Sequence, residues 1–185
     1  MYKQSVDITL PELSKPKIRA FTPEEAKQFC AAVKGDPVEI AALLALHSLR
    51  TEELLPLTWA DIDLENRTID INKTMVRDEN NKWVLKKTTK TWTSTRIVPI
   101  MMDQLYEVLL ANKGADDERL VTYAPNSIGR RISQVCEREG LPHVSVHDLR
   151  KTFASVAASI GMSSDVTQRI GGWSSDRTVK AVKEY

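Results

Sequence analysis

The middle of the chain changes its hydrophobic pattern, and this change sets the fold class. Residues 68–71 alternate polar and apolar side chains, which is typical of a half-buried β-strand. Residues 82–85, after a polar turn, and residues 96–100 are two further short strand-like segments. On both sides of this region the apolar residues recur at a helical period. We therefore predict an α+β fold, mainly α-helical, with a small three-stranded antiparallel sheet.

Capping residues, glycines and prolines divide the helical regions. Thr22-Pro23-Glu24-Glu25 is a helix start, because Thr can cap, Pro suits the first helical position and acids favour the positive helix end. Residues 1–20 contain Pro11 and Pro16 and keep no period, so we expect a linker or arm there and one domain over 21–185. The predicted helices span residues 23–33, 40–49, 52–57, 101–112, 127–139, 147–160, 163–170 and 175–184.

The composition is that of an ordinary globular protein. Among 185 residues, 26 Lys and Arg face 25 Asp and Glu, and 42% are hydrophobic. The longest apolar stretch, residues 40–46, is far shorter than the roughly 20 residues of a membrane span. Cys30 and Cys136 have no Cys or His at metal-ligand spacing, so we expect no disulfide framework and a reducing cytoplasm. A net charge of +1 does not decide nucleic-acid binding, which depends on how the charges are distributed.

Two segments carry positive charge where an anion is expected. Arg50 lies between two apolar helices, so its guanidinium needs a partner, which could be Glu53 three residues on or a ligand. Between residues 86 and 96 there are four positive charges and no acid, interleaved with hydroxyl residues and Trp92. This run fits a phosphate-contacting hairpin, and it also fits a solvated basic face. Its charged members are Lys86, Lys87, Lys90 and Arg96.

Two later segments complete the set of candidates. His147 and Arg150 are three residues apart at a predicted helix start, so both side chains leave one face near the positive helix end, which favours anions. Gly171-Gly172-Trp173 ends the helix that follows. His47, by contrast, lies on an apolar helix face and is interpreted as a packed histidine.

Taken together and in this order, these segments resemble the catalytic domain of the tyrosine recombinases, the phage integrase family. The first box of the family is similar to Leu49-Arg50-Thr51-Glu52-Glu53-Leu54-Leu55, although Ser48 stands where Gly is common. Lys90 matches the β-hairpin lysine, His147-Asp148-Leu149-Arg150 the second box, and Trp173 the His-or-Trp position that follows. The resemblance covers residues 20–185, and four boxes at compatible spacing are far more specific than one.

The resemblance also implies roles for these residues. Arg50 and Arg150 would clamp the scissile phosphate, Lys90 would protonate the leaving group, and no metal or other cofactor would be needed. Substitution of either arginine by alanine is expected to abolish cleavage and leave the fold intact. His147 would donate to the same phosphate or help to remove the phenol proton, Trp173 would donate through its indole N–H, and Glu53 would orient Arg50. Lys86, Lys87 and Arg96 would contact the DNA backbone.

The position of the nucleophile departs from the family pattern. The family tyrosine usually follows the His-or-Trp position by nine or ten residues, where this chain has Val182 and Lys183. The tyrosine near that place is Tyr185, twelve residues after Trp173. Tyr185 is the candidate nucleophile, and the alternative is a nucleophile that has been altered or lost.

The implied function is that of a site-specific DNA recombinase, which cuts and rejoins strands through a 3′-phosphotyrosyl intermediate. Its partner would be a double-stranded recombination site, bound as a tetramer, while a monomer also fits an isolated domain; no membrane partner is expected. The family's N-terminal DNA-gripping domain is absent from this sequence, so we expect residues 1–20 to be the arm that leads from it.

Three other functions compete with this hypothesis. A catalytically silent DNA-binding relative of recombinases would explain the unusual tyrosine spacing. A metal-dependent nuclease would use Asp61, Asp63 and Asp70, which lie where solvated carboxylates are also expected. A helical interaction domain without nucleic acid leaves the basic, hydroxyl-rich segment unexplained.

Overall fold

The computed structural model describes residues 20–87 and 95–173. Residues 1–19, Lys90 and Tyr185 lie outside these ranges, and so does the predicted helix over 175–184. In the described ranges, helices surround a small β region, as the hydrophobic pattern predicts. The helices are α1 (Pro23–Val33), α2 (Glu39–Leu46), α3 (Thr51–Leu54), α4 (Asp103–Ala111), α5 (Pro125–Arg138), α6 (Val146–Ser159) and α7 (Ser164–Gly171). The strands are β1 (Ile62–Asp63), β2 (Thr68–Ile71), β3 (Lys73–Arg77), β4 (Trp83–Lys87) and β5 (Arg96–Pro99).

Helix α2 is the centre of the core. Its residues from Ala41 to Leu46 are all buried, which is why it shows no polar face in the sequence. Helix α6 packs along it. His47, directly after α2, is fully buried and donates from Nε2 to the carbonyl oxygen of Pro99 at 2.7 Å, which agrees with its interpretation as a packed histidine.

Helix α1 begins where its capping signal predicts. The Thr22 hydroxyl accepts from the backbone N–H of Glu25 at 3.2 Å, and the Glu25 carboxylate accepts from the N–H of Thr22 at 2.8 Å. Ala26, Phe29 and Val33 form the buried stripe of this helix. Sequence signals of this local kind therefore located the element to the residue.

A three-stranded antiparallel sheet is present, in the order β1-β2-β5. Ile69 faces Val98 across the β2–β5 pair, and both side chains are buried. The register also pairs Ile71 with Arg96, so that a charged residue points into the interior at the end of β5. That inward arginine reaches residues of the candidate active site.

The membership of the sheet differs from the prediction in one strand. Residues 82–85 were expected in it, but β4 pairs with β3 in a separate two-stranded antiparallel ribbon, and the short β1 supplies the third strand. Strand β3 has no clear sequence signal, because Met75 is its one buried side chain and no apolar alternation develops. An exposed ribbon is fixed by pairing and not by a buried face.

In the C-terminal part of the described chain, local signals fix the start of α6 and the end of α7. Ser145 and Asp148 form a capping box at α6, with Asp148 accepting from the N–H of Ser145 at 3.0 Å. Helix α7 ends at Gly171 and is capped by Gly172, which adopts a left-handed conformation with φ of 59°. No helix in the described ranges combines the length and the apolar character needed to cross a membrane.

The cap of α6 should be measurable as stability, since it holds the turn from which His147 and Arg150 project. Ser145→Ala removes the acceptor for the N–H of Asp148, and we expect a loss of about 1 kcal/mol and a melting temperature lower by roughly 3 °C. Ser145→Thr keeps the acceptor and is the matched control. Equal melting temperatures for Ser145→Ala and the wild type would contradict this role.

Candidate active site

Arg50 lies in the junction between α2 and α3, as the sequence indicates. Its Nη1 donates to Glu53 Oε1 at 2.6 Å, and its Nη2 donates to the carbonyl oxygen of Gly172 at 2.7 Å. Its side chain is 37% exposed, so solvent reaches the guanidinium. The sequence left two partners open for Arg50, Glu53 or a ligand. The structure shows the ion pair with Glu53 and leaves the guanidinium accessible to a ligand as well.

Arg150 lies deeper, one turn into α6. The residue is 2% exposed, and its two terminal nitrogens donate to the carbonyl oxygens of Ser48 and Gly171. Burial, followed by the nearby charge of Arg50, lowers the pKa of Arg150 to about 9, which still leaves it cationic at neutral pH. Its removal would leave two backbone carbonyls without their donor, so we expect Arg150→Ala to lower the stability of the fold as well as cleavage.

The two guanidinium groups converge on the end of α7. Arg150 holds the carbonyl of Gly171, and Arg50 holds the carbonyl of the next residue, Gly172. A guanidinium carries five N–H donors, and within the described part of the chain each of these two groups uses two of them in its side-chain contacts. Residues that are 100 positions apart in sequence thus place two cations side by side, each with donors that no residue in ranges 20–87 and 95–173 occupies.

Trp173 covers this arrangement from one side. The guanidinium carbon of Arg150 lies over the Trp173 ring, 4.6 Å from the ring centroid. The ring centroids of Trp173 and Phe153 are 6.4 Å apart. A Cβ on Gly171 would collide with the Trp173 ring, while Gly172 supplies the left-handed turn. The double glycine therefore brings the tryptophan back onto the arginine.

His147 is exposed at the start of α6 and belongs to the same electrostatic environment. Partial burial lowers its pKa, and the charges of Lys151, Arg150 and Arg50 lower it further, while Asp148 acts in the opposite direction. The structure thus gathers Arg50, Arg150, His147 and Trp173 in one region, with a neutral imidazole at physiological pH.

Glu53 is bound by two arginines. Its Oε2 accepts from the backbone N–H of Arg50 at 2.9 Å, in addition to the Oε1 contact with that side chain. Arg96 donates to both oxygens, each at 2.9 Å. Burial by itself raises the pKa of Glu53, but the hydrogen bonds and charges of Arg96 and Arg50 outweigh it and bring the value to about 2.

The structure corrects the expectation that Arg96 contacts DNA. Its side chain is 6% exposed, and all three nitrogens are engaged, with Nε donating to the carbonyl oxygen of Ile170 at 2.9 Å. The burial of Arg96 could not be read from the basic run, because that run includes Lys86 on the exposed strand β4 and also Arg96, the first residue of β5, which points into the interior. Lys86 is exposed on β4, whereas the side chain of Lys87 lies outside the described part of the chain.

Ser48 is a site residue that sequence reasoning did not assign. It has a φ of 82°, is fully buried, and its hydroxyl has no hydrogen-bond partner among the described residues. Its carbonyl oxygen accepts from Arg150. The signal was present in the sequence, since Ser48 occupies a position where the resembled family commonly has Gly.

The acidic residues of the nuclease hypothesis have other partners. Asp61 is paired with Lys73 at 2.7 Å and accepts from the N–H of Thr58 at 2.8 Å. Asp63 accepts from Asn66, and Asp70 accepts from Asn72 at 3.0 Å. Over residues 20–87 and 95–173, no three His, Cys, Asp or Glu side chains form a group that could hold a metal ion.

Comparison with known proteins assigns the chain to a family. The family model described as the phage integrase family matches residues 19–182. The chain belongs to the phage integrase family. The match extends over nearly all of the sequence and includes both arginines, so the resemblance inferred from the sequence is confirmed.

The relatives of this integrase-family chain are longer than it is. The tyrosine recombinase XerC-like protein of Caldanaerobacter subterraneus subsp. tengcongensis is 25% identical over 177 residues, which cover 80% of this chain and 45% of that protein. The transposase from transposon Tn916 of Enterococcus faecalis is 28% identical over 180 residues, covering 82% and 44%. The integrase of Staphylococcus phage L54a is 31% identical over 156 residues, covering 74% and 44%. The chain thus spans less than half the length of these relatives.

Solved structures show the same fold. The integrase of transposon Tn1549, in complex with transposon right end DNA, matches with a TM-score of 0.73 at 23% identity, covering 95% of this chain and 64% of that one. The XerA recombinase matches with a TM-score of 0.65 at 22% identity, covering 94% and 61%. The α+β fold with a small antiparallel sheet is accordingly that of the tyrosine recombinase catalytic domains.

The geometry of Ser48 leads to a stability prediction. A left-handed conformation costs a non-glycine residue about 1–2 kcal/mol. Glycine avoids this cost, but part of the gain is offset because glycine loses more conformational entropy on folding. Ser48→Gly also removes the unpaired buried hydroxyl, so we expect it to stabilise the chain by about 1 kcal/mol. Ser48→Ala, which keeps the backbone strain, should gain less. A lower unfolding free energy for Ser48→Gly in denaturant titration would contradict this account.

Proposed function

We propose that this chain is the catalytic domain of a site-specific recombinase, which cuts and rejoins double-stranded DNA through a 3′-phosphotyrosyl intermediate. The observation that carries the proposal is the convergence of Arg50 and Arg150 on adjacent carbonyls at the end of α7. Two neighbouring cations, with donors that the described residues leave unoccupied, are suited to an anion with two equivalent oxygens. Membership of the phage integrase family gives the reaction class.

The two guanidinium groups fit the demands of phosphoryl transfer. In an in-line displacement at phosphorus, negative charge resides on the two non-bridging oxygens, and planar N–H forks can bind them. Arg50 is the accessible donor, with its side chain 37% exposed, and Arg150 supports it from the interior. His147, exposed beside them and neutral, can donate to the same phosphate or accept the proton of the attacking phenol.

The covalent step also needs a nucleophile and a general acid. A phenol of pKa about 10 displaces a much more basic deoxyribose 5′ oxygen, so the leaving group must receive a proton as it departs. We assign the proton donor to Lys90 and the nucleophile to Tyr185. The bond that forms joins phosphorus to the phenolic oxygen of the tyrosine, and the bond that breaks joins phosphorus to the 5′ oxygen. Attack by a 5′ hydroxyl reverses the step without loss of bond energy.

The partners follow from this chemistry and from the relatives. We propose a double-stranded recombination site as substrate and a tetramer on DNA as the assembly for strand exchange. The Tn1549 integrase, with the same fold, was solved in complex with DNA. Both cysteines, Cys30 and Cys136, are free thiols, which suits a reducing cytoplasm.

The test begins by selecting the target sequence from random DNA. The chain is incubated with a pool of nicked duplexes of randomised sequence, and SDS-stable protein–DNA adducts are isolated and sequenced. The recovered sequence then serves as substrate. We expect an adduct with the wild type and none with Tyr185→Phe.

Arg50→Ala should lower the rate of adduct formation by about 100-fold or more, the usual effect of losing a donor to the charged transition state. The fold should persist, because Arg96 still binds Glu53. Arg67→Ala is the matched control, since Arg67 pairs with Asp103 and lies over Tyr106. An unchanged rate for Arg50→Ala would remove this residue from the site.

The outcomes separate the competing functions. Salt-dependent DNA binding by the wild type without any adduct would favour the catalytically silent module. An adduct that survives in Tyr185→Phe would place the nucleophile elsewhere. Absence of both adduct and DNA binding would contradict both functions.

A sulfur substrate tests the proton donor separately. Lys90→Ala should cleave normal DNA slowly but should regain a rate near that of the wild type on a duplex with sulfur at the scissile 5′-bridging position. A thiolate leaves without a proton, so the general acid becomes unnecessary. Equal impairment of Lys90→Ala on both substrates would show that Lys90 is not the acid.

A further inference from the structure

Arg96 is buried, yet it connects three elements that form the site, namely β5, α3 and α7. Its terminal nitrogens form a two-pronged contact with both oxygens of Glu53 on α3, each at 2.9 Å. Its Nε donates to the carbonyl oxygen of Ile170 on α7 at 2.9 Å. Arg96 itself begins β5. The planar fork of arginine, with an additional donor at Nε, is required to reach all of these partners at once.

The carboxylate of Glu53 is shared between two arginines, and this sharing sets the net charge of the region around Arg50. A buried carboxylate needs a counter-charge, and Arg50 and Arg96 both supply one. Without the charge of Arg96, Arg50 would be the remaining ion-pair partner of Glu53, and the carboxylate would offset the positive charge that Arg50 presents to a phosphate. With Arg96 in place, the three arginines exceed the single carboxylate, so positive charge remains at Arg50 and Arg150 for a phosphate.

The second contact of Arg96 supports the other half of the site. Ile170 is followed directly by Gly171 and Gly172, whose carbonyls bind Arg150 and Arg50, and then by Trp173. The bond to the Ile170 carbonyl therefore fixes the helix end from which these carbonyls project. Strand β5 packs against α7 at this place.

We propose that Arg96 is a positioning residue for DNA cleavage. It balances the charge of Glu53 and anchors the last turn of α7, so that the site keeps a net positive charge and Arg50 keeps its orientation for the scissile phosphate. The inference rests on the proposed function, because it assigns Arg96 to the same site. It replaces the expectation that Arg96 binds the DNA backbone.

The rate of adduct formation on the selected DNA, measured with saturating folded protein, tests the proposal. Arg96→Met should lower this rate by about 100-fold while the Kd for DNA changes less than about threefold. Arg96→Lys keeps the charge without the fork and should lie between Arg96→Met and the wild type. Arg77→Met is the matched control, because Arg77 is an exposed arginine of the β3–β4 ribbon that lies over Trp83.

A second substitution separates charge positioning from packing. In Arg96→Met with Glu53→Gln the unbalanced carboxylate is gone, and the rate should rise at least about tenfold above that of Arg96→Met alone. All rates are taken at a temperature where circular dichroism shows each variant to be folded. Failure of Glu53→Gln to rescue, or equal rates for Arg96→Lys and Arg96→Met, would overturn the proposal.

A DNA-free measurement keeps the inference testable if cleavage itself fails. Vanadate is titrated into the protein while the Nε–H signal of Arg50 is followed by NMR, with Arg50→Ala used to assign that signal. Arg96→Met should weaken vanadate binding by about tenfold, and the double variant should restore it. A wild type that binds vanadate but forms no adduct contradicts the proposed function alone. Equal vanadate affinity in Arg96→Met and the wild type contradicts the role of Arg96 alone.

Discussion

The structure depends on holding two guanidinium groups, those of Arg50 and Arg150, close together. Like charges at short range repel, and burial adds a desolvation cost to Arg150. The chain meets both costs with backbone carbonyls, because the unpaired carbonyls at the end of α7 carry partial negative charge and accept from Arg50 and Arg150 in turn. Glu53 supplies the one full negative charge that contacts Arg50 among the described residues. Each guanidinium is therefore hydrogen-bonded within the protein, and each keeps N–H donors that no described residue occupies.

Several unusual local features follow from this requirement. Gly171 leaves room for the Trp173 ring, Gly172 reverses the chain, and Ser48 accepts a left-handed conformation so that its carbonyl meets Arg150. Each is locally unfavourable or restrictive, and each serves the same pair of cations. Arg96 belongs to this group, because the cost of burying its charge is offset by its contacts with Glu53 and with the carbonyl of Ile170.

Much of the fold could be predicted, because it rests on local signals. The capping box of α1, the continuous apolar run of α2 and the alternation in β2 each lie within a few neighbouring residues. The β3–β4 ribbon was missed in part because it has almost no buried face. Within the candidate site, the types and spacing of Arg50, His147, Arg150 and Trp173 were sufficient for a family resemblance. The role of Arg96 was not accessible in this way, since a basic run looks the same whether its last residue points outward or inward.

The sequence by itself determined the fold class, most helix starts and the set of chemically capable residues, because periodicity, capping and motif spacing act over a few residues. The tertiary structure alone decided which of those residues meet. It put Arg50 beside Arg150 across 100 positions of sequence, buried Arg96 against Glu53, and gave Ser48 its strained turn. Burial and electrostatic pairing are properties of what packs around a side chain, and that surrounding is assembled from distant parts of the chain.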